Sequence, residues 1–214
     1  SVLFIHVDSN NNIWATNRIR TGSNTWSTAD VSTNFQPAYP IVNGWVNSTP
    51  TYQKTNGYYV TTNGSIGVNV SNFYDDRENK WMAPVDIYLD DFLPIITNDS
   101  NPDFNFSTND FEGLVYITRD RPAGSSRIPC VRLRNGKELA ADISVVTDLP
   151  LYVEGNFNSI NTKASLVAGD AVTLLSSNWQ DARTGANRLS QRSPTATSFY
   201  TIIMTGNTPT IGSS

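Results

Sequence analysis

The 214-residue chain has only one histidine, His6, and one cysteine, Cys130. A single histidine excludes, within one chain, histidine-based zinc sites and leaves no partner arrangement for a serine triad. A single cysteine excludes an internal disulfide, and without an activating neighbour Cys130 is predicted to be a small buried apolar residue. The sequence also lacks a nucleophile elbow, a phosphate loop and a dinucleotide fingerprint, so it predicts no catalytic residues and no cofactor.

Charge and long apolar runs are scarce as well. Only 16% of residues are charged, the net charge is -4, and the basic residues are scattered along the chain. Nucleic acid is therefore not an expected partner. No stretch approaches the roughly 20 apolar residues of a membrane span, and no secretory signal is recognisable. Because the chain does not open with methionine, we expect a processed protein or a piece of a longer one.

The chain is rich in asparagine, with 24 residues, and serine, threonine and glycine are frequent. This composition suits turns and polar strand faces better than helical surfaces, so it predicts an all-β protein. We expect residues 1–60 to form an irregular β-rich segment with short strands at 2–6 and 13–16, and residues 61–214 to form a β-helix-like domain. One continuous domain is the alternative to this division.

Two local patterns refine the prediction for the middle of the chain. Residues 58–60 and 66–70 form a predicted hairpin, because Asn63-Gly64 supplies the two positive-φ positions of a type I′ turn. Residues 85–93 begin with the alternation of a strand and continue into one predicted helical turn that ends before Pro94.

A self-match near the C-terminal end is the strongest architectural signal. Residues 143–156 and 165–178 superpose at a shift of 22 residues, and residues 200–207 match the second half of the first copy after an insertion. Repeats of this length are typical of solenoids, whose units complete their core by stacking. The sequence predicts a short parallel β-helix with at least three rungs between Gly113 and Asn207. The predicted equivalent pairs are Val145 with Val167, Asp148 with Asp170, and Tyr152 with Leu174.

The acidic residues offer two interpretations. Asp148 and Asp170 are predicted structural corner residues that accept backbone hydrogen bonds in turns. A polysaccharide-cleaving enzyme on a β-helix would instead gather carboxylates, with arginine or lysine, on one sheet face. The sequence predicts acids dispersed among turns, which favours the structural interpretation.

Calcium and carbohydrate are the candidate ligands. Residues 8–12 begin like a calcium loop, but Ile13 occupies the position that requires glycine, so a plain turn is predicted. Residues 98–110 are dense in carboxylates and amides; Asp99, Asp103 and Asp110 are weak candidates for Ca²⁺ binding, although a solvated loop is the simpler interpretation. Aromatic residues crowd the first 60 positions, where they either pack in the core or form a carbohydrate surface.

Several segments together carry a family resemblance. They are residues 69–81, 85–87, 113–117, 131–136, 146–148, 151–158 and 171–179, and the run Asp148-Leu-Pro-Leu-Tyr-Val-Glu-Gly-Asn-Phe-Asn158 is the most specific. This pattern resembles the large C-terminal region of bacterial type IV pilus assembly proteins of the PilX type, over roughly residues 60–207. The resemblance implies a bacterial envelope or surface protein, anchored in family members by an N-terminal pilin-like helix, and it implies no catalytic residues.

The function expected from these features is that of a non-catalytic structural or adhesive surface module in a pilus-related or other extracellular assembly. Solenoid ends expose strand edges that invite pairing, so we expect filament formation or cell adhesion through other protein subunits, with a second copy of this chain and carbohydrate as further candidates. A polysaccharide lyase or hydrolase on a β-helix scaffold is the alternative.

Overall fold

The computed structural model describes residues 2–22, 25–35, 59–60, 65–68, 72–98, 113–185 and 191–206. This part of the chain is mainly β, with two mixed sheets and one α-helix. The all-β class predicted from composition is confirmed at this level. The strands are β1 (Val2–Val7), β2 (Ile13–Gly22), β3 (Thr25–Asp30), β4 (Tyr59–Val60), β5 (Ile66–Val68), β6 (Phe73–Asp75), β7 (Lys80–Tyr88), β8 (Leu114–Arg119), β9 (Ile128–Arg134), β10 (Ile143–Val146), β11 (Leu151–Glu154), β12 (Ser165–Gly169), β13 (Val172–Leu175) and β14 (Ile202–Thr205).

Strand pairing divides these elements into two sheets. Sheet A has the order β14-β12-β10-β8-β1-β2-β3, and sheet B has the order β13-β11-β9-β7-β5-β4 with β6 paired to β7. Neighbouring strands are parallel along β1-β8-β10-β12-β14 in sheet A and along β7-β9-β11-β13 in sheet B. The other strand pairs are antiparallel. From β8 onward the chain alternates between the sheets. Each strand from β9 to β14 lies beside the strand two places earlier, whereas β8 lies beside β1.

The main core lies between the two sheets. Side chains alternate across each strand, and the inward rows hold fully buried aliphatic residues such as Val115, Val145 and Val167 in sheet A and Val131 and Val153 in sheet B. The corners are tight where the chain changes sheets. A Cβ added to Gly169 would lie 2.9 Å from the Cβ of Leu151, so only glycine fits this close approach.

The predicted register is correct in the first half of the repeat and wrong by one residue in the second. Val145 is opposite Val167, as expected from the shift of 22. Tyr152 is opposite Thr173 rather than Leu174, which pairs with Val153. The shift is thus 174 - 153 = 21, because the chain takes four residue steps from Ala168 to Val172 but five between the paired residues Val146 and Leu151.

The third copy is also placed differently from the prediction. Residues 200–207 were expected to match the second half of the first copy, which forms β11 of sheet B. Instead β14 pairs with β12 in sheet A, with Ile203 opposite Val167. The long connection after β13 returns the chain to sheet A, so this copy corresponds to the first half of the repeat.

The predicted strand-to-helix passage is observed, but the helix is longer than expected. Helix α1 spans Leu89–Ile96 and contains Pro94, which was predicted to end it. The helix ends instead at Ile96, and the backbone N–H and hydroxyl of the cap residue Thr97 both donate to the carbonyl oxygen of Leu93, at 3.0 Å and 2.8 Å. Proline in the second turn leaves one backbone acceptor without its usual donor, a cost that burial of Phe92, Leu93 and Ile96 offsets.

The remaining local predictions concern residues before 72. The strands expected near 2–6 and 13–16 are β1 and β2, and β4 pairs with β5 in an antiparallel arrangement as the hairpin required. Its turn, Asn63-Gly64, lies outside the described residues. Since β1 pairs with β8, sheet A joins strands from both sides of residue 60; a domain boundary at that residue stays a prediction.

Candidate functional site: the outer face of sheet B and the open sheet end

A buried ionic cluster lies on the outer face of sheet B. Arg132 and Asp86 are both fully buried, and the guanidinium of Arg132 donates through Nε and Nη2 to the two carboxylate oxygens of Asp86, at 2.5 Å and 3.1 Å. Its Nη1 donates to Asp181 Oδ1 at 2.7 Å and lies 3.2 Å from Glu154 Oε2. Burial opposes the charge of Arg132, but Asp86 and Asp181 outweigh that effect and raise its pKa.

Neighbouring groups extend this cluster towards solvent. Arg134 donates to Glu154 Oε1 at 2.8 Å and is partly exposed. Burial raises the pKa of Glu154 although Arg132 and Arg134 act in the opposite direction. Glu154 is therefore a carboxyl group whose ionised form is disfavoured by its surroundings.

A second layer of side chains covers the cluster. Phe73 of β6 contacts the rings of Tyr152 and Trp179 edge-on, with centroids 4.8 Å and 5.9 Å apart, and its ring centroid lies 5.2 Å from the guanidinium carbon of Arg132. Cys130 belongs to the same small apolar core. It is buried as predicted, and that burial raises the pKa of its thiol.

Asp75 anchors this layer to sheet B. Its carboxylate accepts a hydrogen bond from the Tyr152 hydroxyl at 2.6 Å and from Arg77 Nη2 at 3.0 Å. Burial works to raise the pKa of Asp75, but the bonds from Arg77 and Tyr152 outweigh it and hold the pKa below its ordinary value. The contribution of Asp75 to stability is therefore present above its unfolded-state pKa and is lost as the pH falls through its folded-state pKa.

We expect Tyr152→Phe to lower the free energy of unfolding by about 1–2 kcal/mol at pH 7, because Asp75 loses a buried donor. The deficit should shrink as the pH falls below about 4, the ordinary pKa of an aspartate, because the contribution of Asp75 is lost between that pH and its lower folded-state pKa. Urea unfolding from pH 2.5 to pH 7 measures both effects. Tyr74→Phe is the matched control, since the Tyr74 hydroxyl bonds to Asn79 at the surface. An equal loss at every pH would show that Asp75 is not the group affected.

The gathering of charged groups corrects the predicted dispersal of acids. Asp75, Asp86, Glu154 and Asp181 lie on one face of sheet B with three arginines. The sequence does contain a signal for this arrangement. In β9, Cys130, Arg132 and Arg134 alternate with Val131 and Leu133, so the outward row of a strand buried on both faces carries positive charge. The partners come from distant strands, and no local spacing reveals them.

The predicted corner residues lie where the chain turns from one sheet to the other. Asp148 is exposed in the bend after β10, and Asp170 is half-buried in the bend after β12. At the first corner the backbone N–H of Leu149 donates to Thr147 Oγ1 at 3.1 Å. Thr147 thus contributes a turn bond that the sequence interpretation assigned to Asp148. The structural role of Asp148 and Asp170 stays a prediction.

The calcium candidates were predicted in the segment 98–110. Asp99, Asp103 and Asp110 lie outside the described residues. In the turn at 8–12, Asp8 Oδ1 accepts the backbone N–H groups of Asn10 and Asn12 at 2.9 Å and 2.8 Å. In the described part of the chain, no group of three or more histidine, cysteine or acidic side chains is arranged to hold a metal ion. His6 lies near the surface, with Nε2 3.5 Å from Asp120 Oδ2.

The open sheet end is the second feature with functional potential. β13 and β14 are the last strands of sheets B and A, and no strand of the described ranges pairs with their far sides. Large apolar side chains are exposed there, from 41% for Ile203 to 63% for Ile202. This end-patch consists of Leu174, Tyr200, Ile202, Ile203 and Met204.

The hydrogen-bond pattern of the parallel strands determines which backbone N–H and C=O groups face the open side. Leu151 N–H donates to Ala171 O, and Gly155 N–H donates to Leu175 O, so alternate residues of β13 bond to β11. Leu174 between them directs its N–H and C=O towards the open side. In β14, Gly206 N–H donates to Gly169 O, which leaves the backbone groups of Ile203 on the open side. Both edges therefore offer the donors and acceptors that another strand would pair with.

Asn158 holds the open end in place. This buried side chain donates through Nδ2 to the carbonyl oxygens of Lys163 and Tyr200, both at 2.7 Å, and its Oδ1 accepts the N–H of Lys163 at 2.8 Å. Phe157 forms an isolated parallel bridge with Phe199 directly before β14. β14 is thus fixed by side-chain bonds as well as by its pairing with β12.

Comparison with protein-family models, with curated proteins and with solved structures found no significant match to this chain. The resemblance to PilX-type proteins therefore stays an expectation from the sequence. In the described ranges, no helix has the length and apolar composition that crossing a membrane requires.

Proposed function

We propose that this chain is a non-catalytic association module in which residues 113–206 form a short β-helix, and that strands of partner subunits pair with its open end. The observation that carries the proposal is the coincidence of two unpaired strand edges with the exposed end-patch. Alternation of the chain between parallel neighbours supports the β-helix, since each added rung repeats the same pairing.

The exposed apolar side chains of the end-patch distinguish this edge from the protected edge strands of other soluble proteins. Soluble proteins commonly protect edge strands with charged residues, proline or a bulge. β14 carries none of these in the sequence Ile-Ile-Met-Thr. Ile203 continues the inward row of Val145 and Val167, so a further strand would bury it in the existing core. Backbone pairing would supply affinity, and burial of this row would add to it.

The setting that we propose for this association is a bacterial surface assembly, pilus-related or otherwise extracellular. The support is the sequence resemblance over residues 60–207, together with a rigid two-sheet scaffold suited to stacking. Such a module would act in cohesion, filament formation or adhesion, with carbohydrate as a further ligand class. Trp14, exposed on sheet A, is an aromatic group available for that role.

A polysaccharide lyase or hydrolase is the alternative, and the ionic cluster of sheet B is the observation that favours it. Carboxylates with neighbouring arginines match the chemistry of such enzymes. The cluster's central pair, Arg132 and Asp86, is however fully buried, so it is paired internally rather than open to a polymer. Cleavage of acidic or neutral polysaccharides by the purified protein, abolished by Glu154→Gln, would establish the alternative.

We expect Leu174→Pro and Ile203→Pro each to weaken self-association or partner association about tenfold or more, and the double variant to abolish it. Each proline removes an N–H that faces the open side and leaves the ladder bonds to β11 or β12 intact. Sedimentation velocity over a range of concentrations measures the effect. Asp148→Asn and Asp170→Asn are the controls and should associate like the unmodified protein.

Thermal unfolding of each variant shows that the scaffold is retained. The proposal fails if folded Leu174→Pro/Ile203→Pro protein associates as strongly as the unmodified chain, because the open edges would then play no part.

A further inference from the structure

A cavity of about 250 Å³ lies beside the edge strand β13. Its apolar wall comes from Leu174, Leu175, Trp179 and Pro194, and two arginines, Arg183 and Arg192, line the same space. Leu175 packs with Trp179 on the outer face of sheet B. A strand that extended sheet B beyond β13 would therefore direct alternate side chains to the side on which this cavity lies.

The cavity walls are held by hydrogen bonds within the protein. Asn178 Nδ2 donates to Ser193 O at 2.6 Å, and the N–H of Thr195 donates to Ser176 Oγ at 2.8 Å. Trp179 Nε1 donates to Asp181 Oδ1 at 2.7 Å, which fixes the ring against Phe73. The cavity is thus preformed, so a ligand would order few additional groups on binding.

Arg192 gives the cavity its chemical preference. It lines the cavity, and its Nη2 donates to Asp76 Oδ2 at 2.6 Å. Asp76 is about half exposed, whereas the Arg192 side chain is largely buried. A carboxylate in the cavity would form charge-assisted hydrogen bonds with the arginine side chains that line it. Arg183 adds a second positive charge to the same lining.

We propose that this cavity receives the carboxylate of an aspartate or glutamate side chain on the strand that pairs with β13. This inference rests on the proposed function and adds the chemistry of the partner. The extended segment would alternate apolar residues, which continue the inward row at Leu174, with outward residues, one of which is acidic. Backbone pairing would provide most of the affinity, and the acidic residue would select the partner and its register.

Two fluorescein-labelled, amidated peptides test the proposal, Thr-Val-Glu-Val-Thr-Val-Thr and its twin with glutamine in place of glutamate. By fluorescence anisotropy we expect the unmodified protein to bind the glutamate peptide about tenfold more tightly, because one charge-assisted bond contributes at least that factor. Arg192→Gln should reduce the ratio to near one. Arg121→Gln, on the connection between β8 and β9, is the matched control and should retain the preference.

The remaining variants separate this inference from the proposed function. Leu174→Pro should weaken both peptides equally, since it acts on backbone pairing. Arg183→Gln should lower the ratio partly and serves as the second test if Arg192→Gln fails to fold. Equal binding of both peptides, or binding of neither, overturns the carboxylate assignment. The proposed function is judged separately, by whether the two proline variants reduce association.

Discussion

Val167→Asp is expected to abolish cooperative folding or to lower the free energy of unfolding by at least about 3 kcal/mol. Val167 is fully buried at the centre of the inward row of sheet A, with Val145 on one side and Ile203 on the other. A carboxylate there would have apolar neighbours, Val145 and Ile203, on both adjacent strands. Since a domain is stable by only about 5–15 kcal/mol, this one change removes a large share of the total.

Ala168→Asp is the matched control for this experiment. Ala168 is the next residue on the same strand, but its side chain lies on the outer face, opposite Val146 and Met204. We expect it to cost about 1 kcal/mol or less, because the carboxylate stays hydrated. Thermal and urea unfolding of both variants compare the two faces directly. Similar losses at both positions would contradict the assignment of inward and outward rows.

Prediction from sequence worked where the physical cause is local and repeated. The 22-residue self-match identified the pairing of Val145 with Val167, because equivalent strands carry the same inward alternation. It failed where spacing depends on corner length, since one residue fewer after Ala168 moves Thr173 opposite Tyr152. It also failed for β14, because the length of a connection does not indicate the sheet to which the chain returns.

The candidate site was less predictable than the fold. Composition placed the acids in turns, yet Asp86, Glu154 and Asp181 come together from β7, β11 and the turn after β13. All three carboxylates contact Arg132. The alternation of residues in β9 predicts that Arg132 points outward, but it does not predict which residues cover it. The open end was anticipated only in general terms, as a solenoid edge, while its exposed apolar side chains depend on which strand comes last.

Arg132→Met is expected to lower the free energy of unfolding by about 3–5 kcal/mol at pH 7. The substitution keeps much of the apolar volume but removes the cation that the fully buried Asp86 shares with Glu154 and Asp181. Arg134→Met is the control. Arg134 pairs with Glu154 near the surface, so its loss should cost only about 1 kcal/mol.

The pH dependence of Arg132→Met identifies the cause of its instability. Burial already holds the pKa of Glu154 above its ordinary value, and removal of Arg132 takes away an opposing positive charge. A carboxyl group with a raised folded-state pKa favours folding at low pH and loses that contribution as the pH rises, so the deficit should be larger at pH 7 than at pH 4. The double variant Asp86→Leu/Arg132→Met removes the unpaired carboxylate of Asp86 together with Arg132. It should recover at least half of the lost free energy of unfolding, because apolar replacement of a buried ion pair is often neutral. A double variant as unstable as Arg132→Met at both pH values would mean that packing around the Arg132 side chain, rather than charge balance, stabilises this face of sheet B.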